Sequence, residues 1–74
     1  MFTIKLVERN SGQPAKSQRV AVGFDGFGRA VANDEWTDDN GEAHFDNDNG
    51  NGEVYVNGKT SYKGEIKGKV VIYV

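Results

Sequence analysis

The amino-acid sequence predicts an all-β fold: a small antiparallel β-sandwich of about seven short strands with no substantial helix. Three observations carry this. Apolar residues recur with period two, as in Phe2-x-Ile4-x-Leu6, Val20-x-Val22-x-Phe24, Val54-x-Val56 and Val70-x-Ile72-x-Val74, the pattern of strands with one buried face. Gly, Asn and Asp make up 23 of 74 residues, and they fall between the alternating runs, where their tolerance of left-handed backbone suits tight turns. No window shows a capped apolar stripe at i, i+3, i+4, i+7, so no helix is expected.

The elements follow in order. The first strand spans 2–8 and is closed by Asn10-Ser11-Gly12-Gln13-Pro14. The second spans 18–24 and ends at Asp25-Gly26-Phe27-Gly28. A third covers 29–36, followed by the turn Asp39-Asn40-Gly41, a fourth at 42–46, and a polar loop at 46–52. The last three strands cover 53–57, 60–66 and 69–74, separated by Asn57-Gly58 and Lys67-Gly68. Asn-Gly occurs four times, at 40–41, 49–50, 51–52 and 57–58, and it is a strong hairpin signal. At Asn57-Gly58 a two-residue turn would set Val56 opposite Lys59. A three-residue loop sets Val56 opposite Thr60 and Val54 opposite Tyr62, and it is favoured because register follows the hydrophobic face. The expected core is Ile4, Leu6, Val20, Val22, Phe24, Val31, Trp36, Phe45, Val54, Val56, Ile66, Val70 and Ile72. Trp36 is included because a domain of this size has few large apolar side chains to spare.

Composition narrows the function. A chain of this length makes one domain, residues 1–74. There is no cysteine, so disulfide frameworks, thiolate metal sites and cysteine nucleophiles are excluded. No apolar run approaches the ~20 residues of a membrane span or the long stretch of a signal peptide. No membrane association is expected, and the default compartment is the cytoplasm. The formal charge is −2, with eight acids and no Lys or Arg in residues 34–53. That block would repel phosphates, so nucleic acid is not expected as a partner.

Two stretches carry a family resemblance. Ser11-Gly12-Gln13-Pro14 running on to Val20-Ala21-Val22 resembles the T-G-x-P-x-x-G-A-x-V-x-V opening of carboxypeptidase-regulatory-like domains, which are transthyretin-like (prealbumin-like) β-sandwiches. Thr37-Asp38-Asp39-Asn40-Gly41-Glu42-Ala43-His44-Phe45 resembles their T-D-x-x-G-x-F-x-F hairpin. Gly52, Val54 and Val56 sit where the family often has G-x-Y-x-V. Ser17 and Gln18 depart from the usual Gly-Ala, and Ala43 replaces the first aromatic of the hairpin. The resemblance implies a β-sandwich serving as a non-catalytic accessory or interaction module. Hydroxyisourate hydrolases of the transthyretin-like group use more than one His, an Arg and a C-terminal Tyr-Arg-Gly-Ser; this chain has one His, ends in Val71-Ile72-Tyr73-Val74 and shows only a loose echo at Tyr62-Lys63-Gly64-Glu65, so that activity is not expected.

Three places could carry chemistry. The first is a calcium-binding loop at residues 46–53, with Asp46, Asp48 and Glu53 as ligands, because hard cations take oxygen ligands from flexible Asp/Asn/Gly loops. It departs from the EF-hand pattern, since Gly50 takes the fifth position and Glu53 comes early. The second is His44, the single histidine. An enzyme would need a pocket bringing it to a carboxylate and a basic residue. The third is a surface face of Tyr55, Val71 and Tyr73, joined by His44 if its strand neighbours 53–57. Exposed Tyr and His suit protein or carbohydrate partners. The last strand, apolar after Lys69, is also a template for edge pairing in a homodimer. The expected role is a non-catalytic structural or interaction module, with the calcium loop as the alternative.

Overall fold

The structure, a computed structural model, describes residues 1–25 and 31–74, with the backbone alone for 31–33. The described residues form seven strands and no helix: β1 (Phe2–Val7), β2 (Arg19–Phe24), β3 (Val31–Trp36), β4 (Glu42–Phe45), β5 (Gly50–Val56), β6 (Lys59–Ile66) and β7 (Gly68–Tyr73). They lie in two sheets, ordered β4-β1-β7 and β3-β2-β5-β6. The expected turn at Asp25-Gly26-Phe27-Gly28 and the start of the third strand at 29 lie largely outside the described residues, as does the side chain of the proposed core residue Val31.

The core forms between the sheets from the inward half of each alternation. Phe2, Ile4 and Leu6 of β1 meet Val20 and Val22 of β2, Val54 and Val56 of β5, Ile66 of β6, and Val70 and Ile72 of β7. Phe2 stacks on Phe45 with ring centroids 5.1 Å apart and meets Phe24 edge-on at 5.9 Å. Phe2, which belongs to the first alternation, and Ala15 and Ala43 are core residues absent from the expected set, and Phe24 is half-buried at the core margin.

Trp36 is a correction: it is 63% exposed. Register explains this. Trp36 pairs with Arg19, which shares the outward side of β2 because Val20 and Val22 take the inward one. A one-residue offset reverses a side chain's face, so the next residue, Thr37, turns inward and is buried.

One pairing is parallel. β1 and β7 run side by side from Phe2↔Gly68 to Val7↔Tyr73, while the other named pairs are antiparallel. Parallel neighbours cannot be joined by a hairpin, and here five strands intervene. β7 pairs with β1 alone among the described strands, so its other side is a sheet edge.

The β5–β6 hairpin combines both registers weighed from the sequence. Asn57 and Gly58 have φ of 52° and 85°, as a two-residue turn of the I′ kind requires, and Val56 pairs with Lys59. An irregularity between Val54 and Tyr55 then restores Val54↔Tyr62. The tight turn and the hydrophobic face are both satisfied by one bulge. The pairs Asn49-Gly50 and Asn51-Gly52 do not form separate turns, because β5 begins at Gly50. Gly50 lies against the Phe24 ring, and a Cβ on Gly52 would stand 2.1 Å from the Gly23 carbonyl oxygen. These glycines permit close approach of strands.

Candidate functional site

The outer face of the three-stranded sheet gathers most of the chemistry. Its rows follow from register: His44, Thr3 and Lys69 share one row, and Glu42, Lys5 and Val71 the next. Asp38 reaches this face from the turn before β4. That turn is built by local polar chemistry. Asp38 Oδ1 accepts the backbone N–H groups of Asn40 (2.9 Å) and Glu42 (3.0 Å), the usual work of an Asp at a turn start. Gly41 closes it with φ of +75°, and a Cβ there would meet the Leu6 carbonyl at 2.5 Å. Thr37, immediately before, donates its hydroxyl to the Ala15 carbonyl at 2.7 Å and accepts the Gln18 N–H at 2.8 Å. This fastens the 15–18 segment to the connection between β3 and β4.

The side chains then converge on His44. Its Nδ1 lies 2.9 Å from Thr3 Oγ1. Its Nε2 lies 3.6 Å from Asp38 Oδ2 and 3.7 Å from Glu42 Oε1. Glu42 Oε2 receives the Lys69 ammonium at 2.8 Å, reaching over β1 to do so. Both carboxyls titrate below their ordinary values. For Asp38 the leading cause is the backbone hydrogen bond from Glu42, partly opposed by desolvation. For Glu42 it is the hydrogen bond from Lys69, with desolvation opposing and the nearby charges of Lys69 and Lys5 assisting. Hydrogen bonds to the ionised form hold it ionised. Asp38, Glu42 and His44 present three metal-ligating atoms within 4.8 Å of one another, the one such group among the described residues.

Two carboxylates thus meet His44, and a basic residue, Lys69, reaches only Glu42, on an open sheet surface with the His44 side chain 59% exposed. General acid–base catalysis gains most where water is excluded, and this face does not exclude it.

The other expected site residues are dispersed. Val71 and Tyr73 are 45% and 58% exposed on β7, on the same outer face as His44 but toward its other end. Tyr55 lies on the opposite sheet. There it packs over Gly23 and donates its hydroxyl to Glu53 Oε2 at 2.5 Å. His44 does not neighbour 53–57, because β4 pairs with β1. Glu53 is on β5 with Tyr55 and Lys63 Nζ (3.6 Å) as partners, while Asp46 and Asp48 are exposed in the 46–49 connection. These three carboxylates do not form a shared ligand group. The sequence reasoning missed Asp38, Glu42, Thr3 and Lys69. Asp38 ahead of Asn40-Gly41 was the available signal; Thr3 and Lys69 join only through strand order.

No family model, curated protein or solved structure matches the chain. Among the described residues no helix is long and apolar enough to cross a membrane.

Proposed function

We propose that this domain is a non-catalytic interaction module whose contact element is the free edge of β7, with a second copy of the chain as its simplest partner. Its kinship with the carboxypeptidase-regulatory-like sandwiches and a cytoplasmic setting belong to the same reading. The observation that carries it is the β7 strand itself. Among the described strands it pairs with β1 alone, and it exposes Val71, Tyr73 and, just beyond it, Val74. Its Tyr73 carbonyl accepts from Arg9 Nη2 at 3.3 Å, an exposed contact an incoming strand would displace; a row of edge N–H and C=O groups beside apolar side chains is a template for strand addition.

Self-pairing suits the sequence of β7. An antiparallel pairing centred on Val71 sets Val71 against its own counterpart and Lys69 of one copy against Tyr73 of the other. No like charges oppose, since the Lys69 ammonium is turned across β1 onto Glu42. A groove of about 550 Å³ lies beside the strand's end, lined by Tyr73, Val74, Arg9 and Lys59 among others, with room for the added strand's side chains.

Sedimentation equilibrium up to millimolar concentration tests this. The expected result is a monomer–dimer equilibrium that Val71→Lys abolishes while leaving the circular dichroism spectrum unchanged. A monomer throughout, or a dimer indifferent to Val71→Lys, overturns it.

A further inference from the structure

We propose that His44, Asp38 and Glu42 form a binding site for a divalent transition-metal ion of the zinc class. The imidazole, and not the acidity of the region, carries this. Each of the three side chains has one polar atom already engaged and one turned toward the same point. Nδ1 of His44 is held by Thr3, leaving Nε2. Oδ1 of Asp38 is taken by two backbone N–H groups, leaving Oδ2. Oε2 of Glu42 is taken by Lys69, leaving Oε1. A histidine whose second nitrogen is pinned by an outer partner is the usual arrangement in metal sites, since that bond fixes the tautomer and ring orientation.

The spacing fits an ion of that size. Zinc with ligands at roughly 2.0–2.2 Å needs them roughly 3.0–3.5 Å apart. The Nε2–Oδ2 and Nε2–Oε1 separations are 3.6 and 3.7 Å, so small rotations of the more exposed His44 and Asp38 side chains toward the half-buried Glu42 bring the set to bonding distance. Three protein ligands leave the remaining positions to water. An imidazole ligand favours zinc-class ions over calcium, which takes six to eight oxygens. Lys69 and Lys5 flank Glu42 and oppose the ion's charge, which sets the affinity below that of closed sites.

Titration calorimetry of the whole chain with zinc chloride at neutral pH is the test. One ion per chain is expected. His44→Gln is expected to weaken binding at least tenfold, and Thr3→Val about tenfold through loss of the outer partner. The His44 ring protons of the unaltered chain should shift during the titration, a readout that needs no variant. Absence of binding at millimolar zinc, undiminished affinity in His44→Gln, unmoved His44 resonances, or calcium bound as tightly as zinc would each overturn the proposal. Because β7's edge is not among the ligands, the sedimentation result above does not bear on this outcome.

Discussion

Replacing Gly52 by alanine isolates one steric demand of the fold. Gly52 pairs with Phe24 across the β2–β5 ladder. Its backbone lies outside the left-handed range, so an L residue meets no conformational penalty there. The obstacle is contact. The added Cβ would stand 2.1 Å from the Gly23 carbonyl oxygen and 3.0 Å from both Gly23 C and Phe24 Cα. These are backbone atoms of a central strand pair, and relief to even 3.0 Å requires about 0.9 Å of separation between β2 and β5. That movement loosens the ladder on either side, including the Asp25 N–H to Asn51 carbonyl bond at 2.8 Å. Overpacking costs about 1–3 kcal/mol and each weakened hydrogen bond about 1 kcal/mol, for a loss of about 3–4 kcal/mol. A chain of this length has about 4–11 kcal/mol in total. Urea denaturation followed by circular dichroism should show the loss, and the melting temperature should fall by roughly 15–25 °C. Gly12→Ala is the control. Gly12 has φ of +74° and nothing within 4 Å of a built Cβ, so its cost is conformational only, about 1–2 kcal/mol. A Gly52→Ala protein within about 1 kcal/mol of the original, a value below the overpacking range, would refute the close approach of β2 and β5.

Thr37→Val keeps shape but strands the Ala15 carbonyl and the Gln18 N–H. A loss of about 2–3 kcal/mol in urea denaturation and faster exchange of the Gln18 amide are expected; an unchanged midpoint would count against the clamp. Trp36→Ala should cost less than about 0.5 kcal/mol despite the size of the side chain, because it is largely solvated. The same denaturation assay checks it. Stability should also depend on acid through Glu42 and Asp38. Both are held below their ordinary values when folded, so their contribution is complete above the unfolded carboxylate pKa and is lost as pH falls through the folded values. Urea midpoints measured from pH 6 downward should decline, and Lys69→Gln should flatten that decline, since Lys69 is the leading cause for Glu42. An identical slope in the variant would sink this assignment.

The strand positions were legible because their signals are local. Alternation in Phe2-x-Ile4-x-Leu6 or Val70-x-Ile72 states which residues share a face, and Asn57-Gly58 states where the chain reverses. Trp36 was misplaced because β3, Val-Ala-Asn-Asp-Glu-Trp, has no clear alternation of its own. Its facing is inherited from Arg19 across the ladder. The 46–52 segment was misjudged for a related reason. Its glycines look like turn residues, yet Gly50 and Gly52 are there because another strand comes too close for a side chain.

The candidate site shows the same division. Asp38, Glu42 and His44 lie close in sequence, and the Asp38 turn leading into β4 brings them near. Thr3 and Lys69 are brought to them by strand order. Sequence by itself determined the all-β class, the seven strands, most of the core, and the apolar character of the last strand. Only tertiary structure decided that β1 lies between β4 and β7, that β7 runs parallel to β1 with a free edge, and that Tyr55 sits on the opposite sheet from Tyr73. The physical reason is range. Side-chain alternation and turn preference are set by neighbours in the chain, whereas which strands pair is set by burying all the apolar faces at once, a condition no single segment contains.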